Sequence, residues 1–137
     1  MTATFTLCGH LERALELTEA ALEDARRRAS PLAFATASYR RSVPLLWQAR
    51  VTDAVAELES ALDAMRYGWR QFSRAARASL TLCLIERGEL TRAGELILAT
   101  GEIDRHRDLE DTFCVSARAE LRLAQGRPAE ALEDALA

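Results

Sequence analysis

The chain contains no lysine and no asparagine, and all 18 of its basic residues are arginine. Without lysine, no G-x-x-x-x-G-K-[ST] phosphate loop can be built from these residues. The exclusive use of arginine reads as the codon bias of a GC-rich genome and carries no functional conclusion. Cysteine is scarce and odd in number. Cys8, Cys83 and Cys114 are widely spaced, and "LTLCLIE" sets one of them in apolar surroundings. That pattern suits reduced, packing thiols and a cytoplasmic setting better than a disulfide framework. The opening "MTATFTLCGH" lacks the basic start and long apolar run of a secretory signal. No stretch approaches the roughly 18 apolar residues that a membrane helix needs, so no membrane is expected as a partner. Positive charge is not in excess either, with 18 basic residues against 21 acidic ones and a net charge of -3. The strong positive field used in nucleic-acid binding is missing, and no direct nucleic-acid contact is expected.

What the chain does have is apolar content and repetition. Hydrophobic residues make up 49% of the 137 and charged ones 28%, enough apolar surface for a folded, soluble domain with a single core. Four stretches align: "CGHLERALELTEAAL" from Cys8, "QARVTDAVAELESAL" from Gln48, "RGELTRAGELILATG" from Arg87 and "QGRPAEALEDALA" from Gln125. Gly9, Ala49, Gly88 and Gly126 share one column, a small residue that lets the chain turn closely between helices. Leu11, Val51, Leu90 and Pro128 share the column two positions on. Ala14, Ala54, Ala93 and Ala131 share the column five positions on, where a small side chain permits close helix packing. The turn column recurs at steps of 40, 39 and 38 residues. Each unit is therefore a hairpin of two helices, longer than the tetratricopeptide unit of about 34 residues.

The apolar set Val51, Val55, Leu58, Leu62 and Met65 recurs at steps of four and three, which draws one stripe along a helix. Leu11, Leu15 and Leu22 do the same with interleaved alanines. Ser30-Pro31 reads as a capped helix start, and Gly68 and Gly101 read as stops. Helices are expected near 10 to 28, 31 to 49, 52 to 67, 69 to 87, 90 to 100, 107 to 125 and 128 to 137. Pro44, inside the second, predicts a kink more than a break. The expected class is all-α: about seven helices in tetratricopeptide-like antiparallel hairpins, stacked in a right-handed superhelix across residues 1–137.

No chemistry-bearing constellation emerges. Glu102, Asp104, His106, Asp108, Glu110 and Asp111 are acid-rich, but lack the ligand order of a calcium loop and better suit a helix start, where acids complement the dipole. Cys8 and His10 have no second ligand pair at zinc-finger spacing, and Asp104 with Asp108 marks no catalytic pair. No G-x-S-x-G elbow occurs. No metal, cofactor or catalytic residue is expected, and an enzyme is disfavoured. Arg26, Arg27 and Arg28, with Arg40 and Arg41 nearby, form the one basic concentration, read as a solvated helix end rather than an anion site.

Aromatics are few, which draws attention to Tyr39 and Trp47, eight apart on one helix with Val43 between them. In the hairpin register this stripe approaches the inner, concave face. Ala75, Ala78 and Leu82, then Phe113, Ser116 and Glu120, extend it on the equivalent helices of the next two units. Tyr39, Val43, Trp47, Ala78, Leu82, Phe113, Ser116 and Glu120 are the candidate groove, although stripes of this spacing are also how buried cores look.

The repeat columns resemble tetratricopeptide motifs. "LIERGELTRAGELI" and "RAELRLAQGRPAEALED" are similar to the helical-repeat arm of large LuxR-family bacterial regulators of the MalT type, and "AMRYGWRQFSRAARASLTLCLIERGEL" follows the same texture. Ala49 departs from the usual turn glycine, and Arg118 and Arg122 occupy columns that are often apolar. The resemblance implies a sensor or interaction segment of a transcription regulator, whose groove receives a protein partner or a small-molecule inducer. It also implies a piece of a longer multidomain protein, flanked by a nucleotide-binding switch domain and a helix-turn-helix. The alternative is a free-standing adaptor, or an oligomerisation module that pairs through its terminal helices.

Overall fold

The computed structural model describes residues 2–101 and 109–136. Every regular element among the described residues is helical. These are α1 (Thr2–Leu7), α2 (Leu11–Arg27), α3 (Pro31–Trp47), α4 (Val51–Asp63), α5 (Ser73–Glu86), α6 (Leu90–Leu98), α7 (Leu109–Ala124) and α8 (Pro128–Leu136), with a 3-10 turn at Ala64–Tyr67 extending α4. The all-α class expected from the sequence is what forms. The extra helix is α1, whose six residues are too few to show a period. The helix expected from 69 begins instead at Ser73, because Gly68 and Phe72 both take positive φ. α3 runs through Pro44 without interruption, and its start is capped as expected, Ser30 Oγ accepting from the Ala33 amide at 3.3 Å.

The chain forms two compact units, Met1–Ser73 and Arg74–Ala137. In the first, α3 packs against α2 on one side and α4 on the other. Its core is lined by Ala14, Thr18, Leu22 and Ala25 of α2, Ala35, Ser38, Ser42 and Leu45 of α3, and Ala54, Leu58 and Ala61 of α4. Leu22, Leu45 and Leu58 are fully buried, and each contributes about 1.5–3 kcal/mol. Small residues elsewhere let the helices approach closely. Arg41 ties the three helices at their edge, its Nη1 meeting Glu19 of α2 at 2.7 Å and Glu57 of α4 at 3.2 Å.

In the second unit, α7 packs against α6 and α8. Leu80 and Leu84 of α5, Ala93 and Ile97 of α6, and Cys114, Ala117 and Leu121 of α7 are buried. The alanine column is buried in all four copies, at Ala14, Ala54, Ala93 and Ala131. Arg118 and Arg122 converge on the buried carboxylate of Asp134 in α8, at 2.6 and 2.9 Å. A buried carboxylate is tolerated only when paired, so these arginines hold α8 on α7 through charge, as Arg41 and Glu57 join α3 to α4 in the first unit.

The turn column has one physical meaning. Gly9, Ala49, Gly88 and Gly126 all have positive φ, between 57° and 79°. In each, this residue's amide donates to the carbonyl three back and the next amide to the carbonyl five back, as Gly88 to Ile85 at 2.9 Å and Glu89 to Leu84 at 2.8 Å. This is the paired bonding that ends a helix on a left-handed residue. Ala29, between α2 and α3, makes the same turn at φ 48°. A Cβ at Gly88 would meet nothing within 4 Å, so the cost of alanine there is conformational alone. Gly88→Ala is expected to lower stability by about 1 kcal/mol and Ala49→Gly to raise it by about 0.5–1 kcal/mol. Urea midpoints at unchanged slope check both, and a stabilising Gly88→Ala contradicts the account.

Candidate functional site

The departure from that turn builds the most site-like feature of the first unit. After the 3-10 turn, Gly68 at φ 90° ends the helix and Phe72 at φ 62° redirects the chain into α5. Residues 68–72 thereby cross α3 as a strap. Trp69 is buried, and its indole Nε1 donates to Thr36 Oγ1 at 3.0 Å, while that hydroxyl donates to the Leu32 carbonyl at 3.0 Å. Phe72 stacks on Tyr39 with centroids 5.3 Å apart, and the Arg40 guanidinium stands 5.4 Å from the Phe72 centroid. Thr36, Tyr39 and Arg40 all anchor the strap from one side of α3.

The strap divides the α3 stripe. Tyr39 lies half-buried against Phe72 instead of lining open space, and Val43 is half-buried. Trp47 is 58% exposed. The open apolar part of the stripe therefore begins at Val43 and ends at Trp47.

Beside the strap, between the second half of α2 and the first half of α3, lies an open groove of about 410 Å³. Ala21, Ala33 and Ala37 leave room for it, and Arg28, Arg40 and Gln71 stand around it with Asp24. The basic concentration behaves as a solvated helix end for the most part. Arg27 and Arg28 both pair with Asp24, whose carboxyl is held below its ordinary range first by the Arg27 hydrogen bond. Arg26 meets Glu19 at 3.8 Å and lies over Phe34. Arg40 alone among these five makes no ion pair within the described residues.

In the second unit, Ala78 is buried and presents no surface. Leu82 is exposed on α5, and Phe113, Ser116 and Glu120 are exposed on α7. Leu109 and Leu123, not singled out by the repeat register, are exposed as well and complete a stripe at steps of four and three along α7. The opposite side of the helix carries the buried Asp111, Cys114, Ala117 and Leu121. The acids at the start of α7 do more than complement its dipole. Glu110 accepts from the Ala75 amide at 3.1 Å, and the fully buried Asp111 pairs with Arg74, which fastens the first turn of α5 to α7. Glu102, Asp104, His106 and Asp108 lie outside the described residues.

Comparison with protein-family models, with curated proteins and with solved structures finds no match. No helix of the described residues is long and apolar enough to cross a membrane.

Burial disfavours the thiolate at both buried cysteines. Burial pushes Cys83 up to about 11 from an ordinary value of 9.0, and pushes Cys114 up as well. At pH 8 a thiol reagent is expected to titrate one cysteine of the native protein, the exposed Cys8, and all three after denaturation. The unfolded chain loses its Cys83 proton first, so stability should fall as pH rises from 9.0 towards about 11, and a flat profile across that window contradicts the assignment.

The strap gives a second expectation. Thr36→Val keeps the shape of the side chain but leaves the buried indole N–H of Trp69 without an acceptor, a loss of about 1–3 kcal/mol. The same change at the exposed Thr52 should be near neutral. Equal effects in thermal or urea unfolding contradict the anchoring role.

Proposed function

We propose that this chain is a non-catalytic binding segment, and that the α3 face ending at Trp47 receives a protein partner. The observation that carries this reading is the contrast around α3. Ala35, Ser38, Ser42 and Leu45 bury one side of the helix, while a large aromatic at its end stands 58% exposed. A tryptophan on a helix is the kind of side chain that anchors an interface, since it buries much area at little entropic cost. The exposed stripe of Leu109, Phe113 and Leu123 on α7 supplies a second apolar contact surface of the same type.

The setting we favour is the sensor or interaction arm of a bacterial LuxR-family transcription regulator. It rests on the sequence resemblance of "LIERGELTRAGELI" and "RAELRLAQGRPAEALED" to the arms of MalT-type regulators, and on an all-helical architecture that suits such an arm. A small-molecule inducer fits the α3 face less well, because Trp47 stands on an open surface rather than in an enclosing pocket.

The test is selection of peptides from a displayed library on the intact chain, followed by affinity measurement with Trp47→Ala. Selected peptides should bind the variant about tenfold more weakly, the usual scale for an interface tryptophan, with helicity unchanged by circular dichroism. Undiminished affinity rejects this face.

A further inference from the structure

We infer that the groove between α2 and α3 takes an extended peptide segment that carries a carboxylate side chain, and that Arg40 is the group that receives it. The inference rests on the reading of α3 as a partner-binding helix and adds the chemistry of the partner.

Charge singles out Arg40. Arg26, Arg27, Arg28 and Arg41 each already meet a carboxylate, at Glu19, Asp24, Asp24 and the Glu19–Glu57 pair. Arg40 is exposed and, among the described residues, meets no carboxylate but the face of Phe72, 5.4 Å away. A ring face holds a guanidinium in place without neutralising it. The planar fork of donors therefore stays available for an incoming carboxylate, the partner whose geometry it matches. Asp24 stands near Arg28 and makes that side of the groove unfavourable for a second acid. The carboxylate is thereby directed to Arg40.

The shape of the groove suits an extended chain. The α3 residues along the groove run from Leu32 to Arg40, about 12 Å of helix at 1.5 Å per residue. That length matches three to four residues of extended chain at about 3.3 Å each. Alanines line the channel, so a backbone can come close, and the Gln71 amide offers both a donor and an acceptor to it. A lone inorganic anion finds one uncommitted cation in an open groove, too little to hold it. A peptide adds contact along the alanines.

The test uses the intact chain and two fluorescein-labelled, alanine-rich pentapeptide amides, one with a central glutamate and one with glutamine, read by anisotropy at low salt. The glutamate peptide should bind about three- to tenfold more tightly, the range of a partly exposed charge-assisted contact. The preference should vanish in Arg40→Gln and persist in Arg28→Gln, with both variants checked for helicity. Equal affinities, or a preference that survives Arg40→Gln, overturn the proposal. Displacement of the glutamate peptide by a few millimolar inorganic phosphate also overturns it, because it identifies a simple anion site. If neither pentapeptide binds while library-selected peptides still depend on Trp47, the carboxylate assignment fails and the α3 reading stands. If Trp47 dependence is lost too, both fail.

Discussion

The structure depends on one backbone constraint: a residue in the left-handed conformation immediately after a helix. That residue brings its own amide to the carbonyl three back and its successor's to the carbonyl five back, so two orphan acceptors are satisfied and the chain leaves at a fixed angle. Repeating this at Gly9, Ala29, Ala49, Gly88 and Gly126 sets how each helix hands over to the next. The buried alanine five residues after each of the four aligned turns then lets the following helix settle close to its neighbour. Between α4 and α5 the chain does something else. Five residues, two of them with positive φ, replace the usual three, and the extra length becomes the strap over α3. A bulky residue with positive φ is strained, by about 1–3 kcal/mol. The stacking of Phe72 on Tyr39 and the burial of Trp69 with its hydrogen bond to Thr36 are large enough to offset it.

Much of this was legible in the sequence because the constraint selects residue types. Glycine marks a left-handed turn and alanine a close contact, so both columns could be aligned without a structure. Two of the five left-handed turn residues are alanine, which carries no turn signal of its own: Ala49 is marked by its aligned neighbours, and nothing marks Ala29. The strap was illegible for a related reason. "GWRQFS" contains ordinary helix-compatible residues after its glycine, and the side chains that hold Phe72, Tyr39 and Arg40, lie more than 30 positions earlier. Helix-compatible composition therefore points to a start at 69, four residues before the observed one at Ser73.

The candidate face divides in the same way. Trp47 stands out in the sequence as one of few aromatics, eight residues from Tyr39, and it is exposed at the end of α3. Tyr39 has the same period and a different fate, because nothing local announces that Phe72 will cover it. Leu109 and Leu123 continue the α7 stripe beyond the positions aligned with neighbouring helices. Arg118 and Arg122 looked like polar intrusions into apolar columns. Their partner, Asp134, lies 16 and 12 residues further on, on the next helix, and itself looks like an exposed acid until α8 packs against α7.

An acidic partner for a chain of net charge -3 raises an apparent conflict that distance resolves. Charges on an exposed surface are screened over about 10 Å at 0.1 M salt, so the overall charge governs approach more than contact. Within contact range the relevant quantity is which charges remain uncommitted. Around α2 and α3 the carboxylates of Glu19, Asp24 and Glu57 are each already engaged by arginine. Their repulsion of a further carboxylate is therefore weakened, most of all at the Arg40 side of the groove. Aromatic support has the converse effect on Arg40: it fixes the side chain, lowering the entropy lost on binding, and leaves its charge intact. A surface that is acidic on average can in this way carry a local preference for acid, confined to the reach of one guanidinium.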